Sequence, residues 1–209
     1  MEQIVQLNGN AKLSEHFNLG EMTKSSSHPE VYNIPSHEAI ANLKRVCGWL
    51  EVLRERYNDK YNACHLERSR EISPRASLGR DDKGGGTLGM TGGGTLGMTT
   101  SPVSSRLSEA HGEISEEPIR INSGYRSPQL NKKIGGVPTS NHLTGCAVDI
   151  RVADMEQLIR YANILLDYSK ESHQDFDELL IERNRYGAIW LHFAVRPSGN
   201  RRKVAFIQA

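Results

Sequence analysis

The chain has 209 residues, which suits one domain with room for an additional segment. Hydrophobic residues make up 37% of it, low enough to predict that some stretch stays outside the core. The 26 basic and 25 acidic residues give a formal net charge of +1, so electrostatics offer no basis for nucleic acid binding. No apolar run approaches the roughly 20 residues that span a bilayer.

Met1 to Asn10 contains no basic stretch followed by an apolar one, so no signal peptide is predicted. The expected location is the cytoplasm, unless lysis or another export route releases the chain. Leu13 to Phe17 opens a predicted helix with Ser14 as its cap, and the polar run Thr23 to Pro29 interrupts it. Ser36 caps a second predicted helix that runs to about Tyr57. Its apolar residues Leu43, Val46, Cys47, Leu50 and Leu53 recur at spacings of three and four. Cys47, Cys64 and Cys146 form no CxxC pair, and an odd count suits reduced thiols better than a disulfide framework.

From about Asn62 to Glu117 the composition changes to Ser, Gly, Arg and Glu. Gly84 to Thr91 repeats at once as Gly92 to Thr99, a perfect tandem repeat too short and too glycine-rich for a solenoid unit. Residues 62–117 are therefore expected to be a low-complexity, flexible insertion. It separates an N-terminal helical part, 1–61, from the remainder of the same domain, 118–209. Order is predicted to return at Pro118. Ile119 to Ser123 and Ala147 to Val152 alternate as strands do, and a helix is predicted from Asp154 to about Tyr168, with Leu158, Ala162, Leu165 and Leu166 on one side. Phe176 to Ile181, Ala188 to Val195 and Arg202 to Ile207 are three further predicted strands. Helices first and short strands later point to an α+β domain, with helices packed on a central antiparallel sheet.

Chemistry-bearing residues concentrate in three places. Ser123-Gly124-Tyr125-Arg126-Ser127-Pro128 leads to Leu130-Asn131 and Gly135-Gly136. Ser140-Asn141-His142 leads to Gly145, Ala147 and Asp149, and Trp190-Leu191-His192 follows later. Catalytic zinc takes imidazole, thiolate and carboxylate ligands, three from the protein. His142, Asp149 and His192 meet that need if the strands of Asp149 and His192 are neighbours. By residue type alone other triplets also qualify among eight histidines and 25 acids. His16, His28, His37, His65, His111 and His173 stand in no comparable pattern.

The pattern S-x-H-x-x-G-x-A-x-D followed by W-x-H resembles the zinc D-Ala-D-Ala carboxypeptidases and the L-alanyl-D-glutamate murein endopeptidases. The vancomycin-resistance dipeptidases and the Hedgehog signalling domain share it. The likeness extends to S-G-Y-R-S-P-x-L-N and G-G, and to L-S-E-H-F-N-L-G-E-M-T-K-S, which is similar to the opening of the phage-like branch. It covers roughly 1–61 and 117–209. The resemblance implies a Hedgehog/DD-peptidase-like fold, one Zn2+ ion on His142, Asp149 and His192, and a substrate-gripping, oxyanion-stabilising role for Arg126. It also implies that Ser140 hydrogen-bonds ligand or substrate, and that Asn131 and Tyr125 shape the pocket.

Many relatives carry an acid three positions before the last histidine; here that residue is Ile189. Glu182 is the expected replacement as general base, brought beside His192 by a hairpin through Asn184, Tyr186 and Gly187. Asp177 and Glu178 rank behind it. The implied activity is hydrolysis of D-amino-acid-containing bonds in peptidoglycan stem peptides by a monomer, at D-Ala-D-Ala or at L-Ala-D-Glu. Ile189 keeps a second expectation open, a zinc-containing binding module of the same fold with little or no peptidase activity.

Overall fold

A computed structural model of the chain describes residues 9–25, 27–71 and 118–208. The predicted insertion 62–117 lies for the most part outside the described residues. The first helix, α1 (Leu19–Thr23), begins later than the sequence suggests. Asn18 caps it, with its side chain accepting from Glu21 N while the Glu21 carboxylate accepts from Asn18 N, a reciprocal capping box. Ser14 caps no helix. Its hydroxyl donates to Glu51 Oε1 at 2.6 Å and ties the N-terminal segment to the next helix.

That helix, α2 (His37–Glu71), starts as predicted, with Ser36 Oγ accepting from Ala39 N at 3.1 Å. Leu43, Val46, Cys47, Leu50 and Leu53 are all fully buried. The helix passes the predicted end at Tyr57 and enters the segment assigned to the insertion. Apolar periodicity stops near Tyr57, but no Gly or Pro follows until Pro74, and an established helix propagates through Lys, Ala, Leu, Glu and Arg at little cost.

Strand β1 (Ile121–Ser123), short helix α3 (Pro128–Lys133) and a 3-10 turn (Asn141–Thr144) lead into β2 (Ala147–Arg151). Helix α4 (Met155–Ser172) is capped by Asp154, which accepts from Gln157 N at 2.8 Å, and it buries Leu158, Tyr161, Ala162 and Leu165. Three strands complete the chain: β3 (Glu178–Arg183), β4 (Ile189–Ala194) and β5 (Lys203–Gln208). The β3–β4 connection is the expected hairpin. Asn184 N donates to Ala188 O and Gly187 N to Asn184 O, each at 3.0 Å.

The five strands run in the order β1-β2-β4-β3-β5. The sheet is mixed rather than antiparallel, because β5 pairs in parallel with β3. Topology dictates this. Both sides of β4 are already occupied, by β2 and β3, so the chain leaving β4 must join an outer edge, and it adds at the free side of β3. Having reversed after β4, it runs antiparallel to β4 and hence parallel to β3.

Alternation gives the sheet two unlike faces. Val148, Ile150, Leu179, Leu191 and Phe193 form one core with the buried faces of α2 and α4. Trp49 of α2 meets Phe193 at 5.3 Å between ring centroids and Tyr168 of α4 at 4.8 Å, and Tyr57 meets Tyr161 edge-on at 4.9 Å. Cys47 and Cys146 are buried free thiols, as expected, and burial pushes the Cys47 thiol up to about 12. Val204 and Phe206 of the edge strand β5 are exposed. The opposite face presents Asp149, Leu180, Glu182 and His192.

Candidate metal centre

Register brings two of the chemistry-bearing residues together. In the β2–β4 ladder Asp149 stands directly opposite His192. The third comes from the 3-10 turn before β2. Ser140 Oγ accepts from His142 N at 3.3 Å at the start of that turn, and Gly145 closes it at φ 71. A Cβ at Gly145 would lie 2.5 Å from Ala39 O, so both the backbone angle and the close approach to α2 call for glycine. Asn42 of α2 then donates to Thr144 O at 2.9 Å and fixes the turn against the helix.

His192 Nδ1 lies 2.9 Å from Asp149 Oδ1, and His142 Nε2 lies 3.3 Å from each of those atoms. All three residues are buried. Each imidazole also has an acceptor near its other nitrogen. His142 Nδ1 is 2.6 Å from Gly124 O, and since a carbonyl only accepts, Nδ1 carries the proton and Nε2 offers its lone pair to the cluster. His192 Nε2 is 3.7 Å from Glu178 Oε2. Gly124 holds its place because α1 passes so close that a side chain there would run into Met22 O.

Electrostatics follow from this crowding. Burial pushes the His142 imidazole toward its neutral form. Burial also opposes charge on Asp149, but the facing His142 and His192 outweigh it and hold the carboxyl well below the usual range. For His192 burial is outweighed by Asp149 and Glu178, which raise the imidazole to about 9. A buried anion facing two imidazoles is a cation-binding arrangement, and two nitrogens with one carboxylate oxygen suit zinc. Among the described residues, His142, Asp149 and His192 form the cluster able to hold a metal.

The other predicted residues fall into two groups. Arg126 and Glu182 face the cluster. Arg126 donates to Asp149 Oδ2 through Nη2 and to Ser123 Oγ through Nε at 2.8 Å, and its backbone N donates to His142 O at 3.0 Å. Glu182 pairs with Trp190 in the β3–β4 ladder and is half-buried; burial raises its carboxyl above the ordinary value, against the pull of His192. Ser140, Asn131 and Tyr125 make local contacts. Ser140 caps the turn, and Asn131 Nδ2 donates to Val137 O at 2.9 Å in the loop leading to it. Tyr125 is part of the core, with its backbone held by Met22 O and Asn33 Nδ2.

Ile189 has a plain structural reason. It stands an odd number of residues from His192 in a regular strand, so it faces the other way and packs against the core. An acid at 189 would point away from the cluster, whereas Glu182 on the neighbouring strand points toward it.

A carboxylate network below the cluster went unread in the sequence. Asp177 is fully buried and accepts from Arg201 Nε and Nη2 at 2.7 Å each and from Asn141 Nδ2 at 2.8 Å, with Arg196 Nε 2.9 Å away. Glu178 accepts from Asn141 Nδ2 at 2.9 Å and meets Arg201 at 2.9 Å and Lys203 at 3.4 Å. Strand alternation was the available signal for Glu178, since 178, 180 and 182 must share a face.

Compared with known proteins, the chain matches no curated protein. Residues 97–179 match the family model of Peptidase M15. That span takes in Arg126, His142 and Asp149 and stops short of Glu182 and His192, which the sheet register supplies independently. The family matched over that span is thus the one that the motifs resemble, Peptidase M15.

Proposed function

We propose that this protein is a zinc metallopeptidase that hydrolyses D-amino-acid-containing peptide bonds in bacterial peptidoglycan stem peptides. The zinc peptidase class rests on the family match. The substrate class rests on the resemblance of the motifs, and the observation that carries hydrolysis is the buried His142–Asp149–His192 cluster with a half-buried glutamate, Glu182, on the same sheet face. His142, Asp149 and His192 are the residues that would hold the ion. Bound there, zinc supplies Lewis acidity toward water and toward a peptide carbonyl.

The chain's own groups divide the remaining work. Glu182 takes a proton from the attacking water and returns it to the leaving amine; its raised pKa suits a group that must both accept and donate. Arg126 holds the outer oxygen of Asp149, which leaves Oδ1 to face the two imidazoles. Its guanidinium also supplies positive charge where an oxyanion or substrate carboxylate would form.

The test is mass spectrometry of stem peptides incubated with purified protein, with and without a chelator. Chelator-sensitive loss of a terminal D-Ala assigns a carboxypeptidase, and a cut after L-Ala assigns an endopeptidase. Intact peptides after incubation with folded, zinc-loaded protein would reject the peptidase and leave the binding module of the same fold.

A further inference from the structure

We propose that Glu178 is a positioning residue of the metal centre, which orients His192 directly and the His142 segment through Asn141. This rests on the reading of His142, Asp149 and His192 as zinc ligands.

The argument begins with the imidazole of His192. It turns Nδ1 toward Asp149 Oδ1 at 2.9 Å and His142 Nε2 at 3.3 Å. A ring that gives the Nδ1 lone pair to a cation keeps its proton on Nε2, and in a buried site that N–H needs an acceptor. Glu178 Oε2 is the carboxylate oxygen that faces Nε2, at an ion-pair separation of 3.7 Å. Glu178 plays for His192 the part that Gly124 O plays for His142.

The same oxygen reaches the other ligand's segment. Glu178 Oε2 accepts from Asn141 Nδ2 at 2.9 Å, and Asn141 immediately precedes His142 in the 3-10 turn. Asn141 is saturated, because its Oδ1 accepts from Arg196 Nε at 2.9 Å. The outer oxygen, Glu178 Oε1, faces Arg201 at 2.9 Å and Lys203 at 3.4 Å. One oxygen therefore faces the ligands and the other is moored to two cations, so the carboxylate cannot swing away. Two residues along β3, beyond Leu180, Glu182 feels His192 and Arg126 but forms no ion pair with Arg or Lys among the described residues, which separates the positioning acid from the proposed base.

The experiment compares zinc affinity, by competition with a chromophoric chelator, in the full-length protein and in Glu178→Ala, Glu178→Leu and Glu178→Gln. Loss of the acceptor in Glu178→Ala should weaken zinc binding about 10–100-fold. Glu178→Gln keeps an acceptor oxygen and should recover most of that loss. Glu178→Leu fills the volume without an acceptor and stands in should the alanine variant fail to fold. In zinc-loaded, nitrogen-15-labelled protein, the His192 Nε2–H resonance should persist in the wild type and Glu178→Gln and broaden by solvent exchange in Glu178→Leu. Equal zinc affinity in the wild type, Ala and Leu variants would overturn the proposal and leave the metal site standing. A wild-type chain that binds no zinc would instead remove the reading on which it rests.

Discussion

Glu178 and Glu182 lie on one face of β3, on either side of Leu180, the residue paired with His192, and their surroundings drive their carboxyls in opposite directions. Contact with His192 and the nearby Arg201 and Lys203 hold Glu178 down to about 2, so it stays ionised at any working pH. Burial raises Glu182 instead. Environments that separate two carboxyls in this way mark different roles. Glu182→Gln should therefore lower kcat by about 10²–10⁴-fold while zinc affinity stays near wild type, measured by steady-state cleavage beside chelator competition. The proposed base, Glu182, would act only when ionised, and its pKa is raised, so the acid limb of the kcat/KM profile should lie above the ordinary carboxyl value of about 4.3 and vanish in the glutamine variant. At this scale the sequence was legible where a motif names a residue: His142, Asp149 and His192 converge as their spacing and resemblance imply. It was opaque where a side chain serves a neighbour. Nothing around Ser140 distinguishes a substrate-binding hydroxyl from the cap it forms, since both need the same group in the same loop.

Elements hold the centre through two features that can be broken singly. Gly145 closes the His142 turn at positive φ against Ala39 O. Gly145→Ala should cost about 1–2 kcal/mol for the backbone angle alone, with more from the clash. Its midpoint in urea should fall, and zinc affinity with it, because the displaced turn carries a ligand. Asp177 secures the start of β3 to Arg196, Arg201 and Asn141. Burial alone would raise its pKa, but these partners outweigh it and lower it. A lowered folded pKa means the stabilisation is complete above the unfolded value of about 3.9 and is lost as pH falls through the folded value. Asp177→Asn should lose about 1–3 kcal/mol at pH 7 in urea titrations, and the gap to wild type should narrow as the pH falls below the unfolded value. Strands and helices were largely readable from alternation and apolar spacing. The parallel β5 was not, because its direction depends on which of the two outer edges it joins, a fact no local pattern encodes. The end of α2 was also misplaced, since an established helix can continue without an apolar signal.

For the molecule as a whole, residues on both sides of the predicted insertion share one core, which supports the proposal that 1–61 and 118–209 form a single domain. Among the described residues no helix is long and apolar enough to cross a membrane. A ligand that binds only the folded chain stabilises it by mass action. Zinc at a hundredfold excess over its dissociation constant should add about 2.7 kcal/mol and raise Tm, and excess chelator should reverse the shift in a thermal melt. The mooring of Glu178 by Arg201 and Lys203 also has a temporal side. Translation delivers His142 and Asp149 first, His192 later, and the two cations last of all. A nascent chain thus exposes two donors before the third exists and before anything steadies it. On the proposed ligand set, the three donors and the cations that moor Glu178 are all present only once β5 has joined the sheet.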